Sequence, residues 1–182
     1  MTSAARPAGE AQAGPVRVRA ARERDVATLL ELFAALAEYE HLTHELRATE
    51  QGLASALFGE RPAARALIAE RDGEALGYAL YFTTFSSFLT STGVWLEDLF
   101  VRPESRGEGI GRALLAAVAA EVADEGGQRL EWAALDWNAP ALGFYERLGA
   151  RTMGEWITHR MDGEALTRLA LESRPLHREE PA

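Results

Sequence analysis

Arg106, Gly109 and Gly111 form an Arg-x-x-Gly-x-Gly pattern where an apolar strand-like run, Trp95 to Val101, gives way to a helical run rich in Ala and Leu. Such a turn suits anion binding. A helix start exposes four unpaired N–H groups and a partial positive charge. Glycine lets the backbone approach a ligand and take positive φ, and an arginine adds a bidentate contact to phosphate. A Walker loop needs a lysine, and the chain contains no lysine at all. A dinucleotide fingerprint needs a third glycine, and counting from Gly107 or Gly109 that position falls on Arg112 or Leu114. A purely structural turn remains as the plain alternative, but the strand–loop–helix context with arginine leading favours a phosphate site.

Other residues could move protons. Glu97 and Asp98 are adjacent acids inside an otherwise apolar strand. Alternation sends them to opposite faces, so at least one is expected to be buried or in a cleft. Buried carboxylates need a partner or a task, and Asp98 fits an ion pair with an arginine. Tyr145 follows Phe144 on an amphipathic helix. An aromatic there is commonly a core residue, and of the two Phe144 is expected to fill the core position. Metal chemistry is not expected: His41, His44, His159 and His177 have no ligand spacing, and there is no cysteine. The absence of cysteine also excludes disulfides and a thiolate nucleophile, and no GxSxG elbow offers a serine.

The elements that hold these groups alternate. Val16–Ala20 has period two, and Val26, Leu29, Leu30, Phe33, Leu36 and Ala37 recur at helical spacing toward Tyr39 and Glu40, with Asp25 as an early anion. Thr49 opens a second helix running to about Phe58. Ala66–Arg71 and Glu74–Thr84 are strands around Asp72-Gly73, a favoured hairpin pair. Phe85–Gly93 reads as a Ser- and Thr-rich loop, Val94–Val101 as a buried strand and Gly109–Val122 as a helix. Arg129–Leu135 reads as a strand, Pro140–Leu148 as a short helix closed by Gly149, and Ala150–Met161 as one or two last strands. This order predicts an α/β fold. Residues 1–15 and 172–182 read as tails, leaving a single domain over 16–171.

With 182 residues the chain can bury one sizeable core, and 47% hydrophobic with 26% charged residues is a globular composition. Nineteen basic against twenty-eight acidic residues give a formal charge of −9. Nucleic acid and anionic membrane are therefore not expected partners, whereas a small cation would be attracted. No apolar run is long enough for a membrane helix and no leader pattern opens the chain, so a cytoplasmic location is expected.

Arg106 to Gly111 resembles the coenzyme A signature of the GNAT superfamily of N-acetyltransferases, and the order of elements over about residues 16–170 resembles that fold. Leu36 to Glu40, Phe58 to Pro62, Leu96 to Val101, Asp136 to Pro140 and Phe144 to Ala150 are similar to the diamine (spermidine/spermine, thialysine) acetyltransferase branch. The resemblance implies a mixed, mostly antiparallel central sheet with splayed central strands, flanked by helices. It implies acetyl-CoA as cosubstrate, with Leu99, Phe100 and Val101 meeting the pantetheine arm and the acetyl carbonyl. Arg106, Gly107, Glu108, Gly109, Ile110, Gly111 and Arg112 would hold the pyrophosphate. Tyr145 matches the family's proton donor near the thioester sulfur, and Glu97 matches the site glutamate that draws the amine's proton. Asn138 and Ala141 match cofactor contacts, though Asn138 serves equally as a helix N-cap. Tyr39 and Glu40 match positions lining the amine site, and Trp156 is either a wall of that cavity or core.

The chain departs from the polyamine enzymes in its longer Phe85–Gly93 segment, which lacks their tryptophan, and in Glu131, which replaces their histidine. Transfer to a small primary, diamine-like amine in a ternary complex is the leading expectation. An amino acid such as a lysine analogue, an aminoglycoside or a peptide N-terminus is the alternative acceptor. A coenzyme A sensor without turnover is the competing class. The resemblance also implies a homodimer.

Overall fold

The computed structural model describes residues 14–172. Chain contacts group these residues into two units, one ending at Ala133 and the other beginning at Ala134.

The first unit is built on a five-stranded sheet in the order β1-β2-β3-β4-β5. Its strands are β1 (Arg17–Ala20), β2 (Arg65–Arg71), β3 (Glu74–Ser86), β4 (Ser91–Val101) and β5 (Leu130–Trp132). The first four pair antiparallel, and β5 joins β4 in parallel. The mixed, mostly antiparallel sheet is thus present. Asp72 and Gly73 both take positive φ, 51° and 87°, which the tight β2–β3 hairpin demands.

Three helices cover this sheet: α1 (Val26–Tyr39), α2 (Glu50–Phe58) and α3 (Ile110–Asp124). Thr49 caps α2 by accepting from the Gly52 N–H at 3.1 Å. On one face Leu29 and Leu32 of α1 and Leu53 and Leu57 of α2 pack with Ile68, Tyr78 and Phe100. On the other, Tyr81 reaches α3, where its hydroxyl donates to Glu121 at 2.7 Å. Arg65, opposite Tyr81 in the ladder, pairs with Glu121 and Glu125 of the same helix.

Two expectations about the strands are corrected. Phe85–Gly93 is not a loop: Phe85 pairs with Thr92 and Ser86 with Ser91, so a long hairpin turns only at 87–90. The Ser and Thr content that suggested a loop also suits a solvated strand end, where β-branched and aromatic residues carry the ladder. Strict alternation through Glu97 and Asp98 also fails. Asp98 faces Leu80 and Leu96 faces Tyr81, so Glu97 is the extra residue of a β-bulge. The bulge changes the phase of β4: Leu96 shares the α3 face with Tyr81, while Asp98 and Phe100 share the α1/α2 face with Leu80 and Tyr78.

The second unit holds α4 (Ala139–Arg147) and α5 (Gly163–Glu172). Gly149, at φ 87°, follows the C-cap Leu148 of α4 as expected for a C′ glycine. Phe144 is only partly buried, and α4 has no buried residue, so Phe144 does not fill a core position. Ala150–Met161 forms no strand among the described residues; instead the Trp156 N–H closes a local turn on the Met153 carbonyl at 3.1 Å. Alternation nominates a strand, but only a ladder partner makes one. The unexpected α5 continues to the edge of the described residues, its amphipathic turn begun by the Leu166 N–H bond to the Asp162 carbonyl at 3.2 Å.

Candidate active site

The parallel ladder between β4 and β5 is short. Val94, Trp95 and Leu96 face Leu130, Glu131 and Trp132, and the pairing ends there. Among the described residues, no strand pairs with that edge of β4 from Glu97 to Val101. Backbone N–H and C=O groups must be satisfied by something, so an edge opened in mid-sheet is suited to an extended, amide-bearing ligand. Leu99, Phe100 and Val101 all lie on this stretch. Phe100 anchors it, only 2% exposed in the core.

The chain then turns through a short 3-10 segment, Pro103–Ser105, into the glycine loop. Gly107 and Gly109 take φ of 84° and 82°, and a Cβ at either would meet no heavy atom within 4 Å. Conformation, not crowding, calls for glycine here, and the space beside the loop is open. Gly109 is the N-cap of α3, and among the described residues no side-chain cap bond is made there. The N–H groups of Ile110, Gly111 and Arg112 therefore open the helix where its dipole is positive. Glu108 turns its carboxylate to an ion pair with Arg71, which secures the loop to β2. Arg106 donates from Nε to the Val101 carbonyl at 3.1 Å, and its guanidinium lies 4.3 Å from the Tyr39 ring centroid. That contact joins the last residue of α1 to the loop and adds a cation–π attraction.

Beside the open edge lies a set of acids. Tyr78 donates its hydroxyl to Asp98 Oδ2 at 3.0 Å. Burial pushes the Asp98 carboxyl up to about 6; the Tyr78 bond opposes this, and the charges of Glu97 and Glu40 add to it. Burial also raises Glu40, which is the C-cap of α1, an unfavourable place for an anion. Glu97 is exposed and accepts from Trp95 Nε1 at 2.9 Å. The expected ion pair between Asp98 and an arginine is not formed: among the described residues no ion pair involves Glu40, Glu97 or Asp98. The β4 bulge instead sets Asp98 on the face of Tyr78, whose hydroxyl is its partner. Glu131 sits opposite Trp95 on β5 and pairs with Arg129 at 2.8 Å.

Four anticipated site residues belong to the second unit. Asn138 caps α4, its Oδ1 accepting from the Ala141 N–H at 3.3 Å. Tyr145 stacks its ring at 5.2 Å and 58° against Phe144. Trp156 is 72% exposed in the irregular segment, which does not fit a core residue. Sequence reasoning missed Tyr78 and Arg71. Tyr78 carries a signal, since a tyrosine in a buried strand needs a hydroxyl partner, but the partner depends on a hairpin register that periodicity does not give.

Comparison with known proteins agrees with this geometry. The profile of the Acetyltransferase (GNAT) family matches residues 26–150. A thialysine N-epsilon-acetyltransferase of Sus scrofa is 38% identical over 85% of this chain and 97% of its own. An L-ornithine N5-acetyltransferase of Arabidopsis thaliana is 32% identical over 82% of this chain and 86% of its own. Among solved structures, an integron cassette protein of V. cholerae superposes with a TM-score of 0.72 at 30% identity, covering 85% of this chain and 97% of that one. An open parallel edge, a glycine turn that begins an uncapped helix and these relatives together make the chain a member of the GNAT family, an acetyl-CoA-dependent N-acetyltransferase similar to the thialysine and diamine acetyltransferase branch.

Proposed function

We propose that the enzyme acetylates the primary amine of a small substrate carrying a second positive charge, by direct transfer in a ternary complex. The observation that carries this reading is the acid set Glu40, Glu97 and Asp98, none in an ion pair among the described residues, at the head of the open β4 edge. Uncompensated carboxylates gathered in a partly buried place cost stability, and a cation relieves that cost. The names of the relatives, thialysine and L-ornithine acetyltransferases, favour a diamino acid alongside simple diamines as acceptor.

The residues present suit acetyl-CoA, which supplies the acetyl group as a thioester. Left-handed Gly107 and Gly109, the open space beside them and the N–H groups of Ile110, Gly111 and Arg112 suit a pyrophosphate. Leu99 to Val101 offer backbone groups to an amide-bearing arm. Glu97 takes the proton that the ammonium must lose before its nitrogen can attack, directly or through water. Tyr145 holds the proton that the departing sulfur needs. As the C–N bond forms the C–S bond breaks and the thiolate takes up a proton; with neither a cysteine nor a GxSxG serine, the acetyl group passes to the amine without an acyl-enzyme. The remaining assignments, Asn138 and Ala141 at the cofactor and Tyr39 and Trp156 around the amine, rest on the family resemblance, as does a homodimer; Glu131 replaces the family's histidine, and its place at the amine rests on an extra acid suiting a cation.

The test is a thiol-release assay over putrescine, spermidine, thialysine, ornithine and an aminoglycoside. A kcat/KM highest for the short dicationic amines, with intersecting initial-rate lines, is expected. Parallel lines would exclude the ternary complex, and preference for a monoamine would exclude the acceptor reading.

A further inference from the structure

Tyr78 is fully buried, with its ring 5.0 Å from Phe33 and 6.3 Å from Phe100 between centroids. Phenylalanine would fill that apolar space without a polar atom to satisfy. The hydroxyl therefore needs a reason beyond packing, and its 3.0 Å bond to Asp98 Oδ2 supplies one. We propose that Tyr78 is a positioning residue for amine recognition, its hydroxyl fixing Asp98 Oδ2 so that Oδ1 is presented to the substrate ammonium. This rests on the cationic-amine reading above. The groups that act on Asp98 come from three elements: Tyr78 on β3, Glu97 on β4 and Glu40 at the end of α1. Both glutamates oppose its ionisation and Tyr78 favours it, while Arg106 is engaged at Tyr39 and Val101. An arriving ammonium would bring the countercharge that the protein withholds.

The test compares wild type with Tyr78→Phe, Asp98→Asn and the double variant. Tyr78→Phe is expected to raise the amine KM roughly tenfold, the weight of one hydrogen bond to a charged group. The acetyl-CoA KM should stay within about twofold, and Tyr78→Phe added to Asp98→Asn should change little more. The acid limb of kcat/KM and the Asp98 titration, followed by carboxyl 13C NMR on ligand-free protein, should both move to higher pH. A 3,5-difluorotyrosine at position 78, a stronger donor of the same shape, should move that titration to lower pH. Equal rises in both KM values, or an Asp98 titration unmoved by either replacement, would overturn the assignment. Because the titration needs no substrate, wild type that acetylates no amine refutes only the acceptor reading, whereas an unmoved titration refutes the role of Tyr78.

Discussion

Replacing Asp98 with Asn should make the protein more stable at neutral pH while impairing its use of amines. The Asp98 carboxyl titrates at about 6 in the fold against an ordinary value of 3.8. Each pH unit of such a difference corresponds to ~1.4 kcal/mol, so ionised Asp98 costs about 3 kcal/mol, an upper figure because the side chain keeps some contact with solvent. The sign follows from linkage. A group whose folded value is raised is best tolerated below its unfolded value, and stability is lost as pH rises from about 4 through about 6. Asparagine removes the charge and keeps an oxygen to accept from Tyr78. Urea unfolding of both proteins at several pH values should show the variant ahead by up to about 3 kcal/mol at pH 7.5, with the gap closing toward pH 4. In melting temperature this is at most roughly 6–12 °C for a domain of this size. A variant less stable than wild type at pH 7.5, or a gap independent of pH, would refute the argument that the site holds an uncompensated carboxylate.

Tyr145→Phe should lower kcat by ~10²-fold with little change in either KM, measured by steady-state thiol release; an unchanged kcat would remove Tyr145 from proton donation. Gly109→Ala should cost about 1 kcal/mol in urea unfolding, because alanine is strained at φ 82°, and should weaken CoA binding in calorimetry. Asp25→Asn should destabilise by about 2–3 kcal/mol, since Asp25 receives Arg19 at 2.6 and 3.0 Å and the Arg22 N–H at 2.7 Å. Arg19 holds the Asp25 carboxyl below its ordinary 3.8, so this stabilisation is present above that value and is lost as pH falls below it.

The glycine loop was legible because its chemistry is local: positive φ, a helix start and a leading arginine all lie within a few residues. The helices α1 to α4 were likewise readable from spacing and from Thr49, Asn138 and Gly149. What escaped depends on distant partners. The bulge at Glu97 shows only in the β3–β4 register, and without it Asp98 would not lie beneath Tyr78. Phe85 and Thr92 look like loop residues until they face each other across a ladder. Trp156 and Ile157 fit a strand pattern, yet at 72% and 79% exposure they have no such ladder among the described residues. Periodicity reports which face a side chain prefers, not whether a neighbouring strand is there to receive it.

The central claim is that the opening turn of α3 and the free edge of β4 together receive coenzyme A. Amide hydrogen exchange with and without saturating CoA tests it residue by residue. Slowed exchange at Ile110, Gly111 and Arg112 and along Leu99 to Val101 is the expected result. Binding that leaves those amides unprotected, or no binding at all, would contradict it.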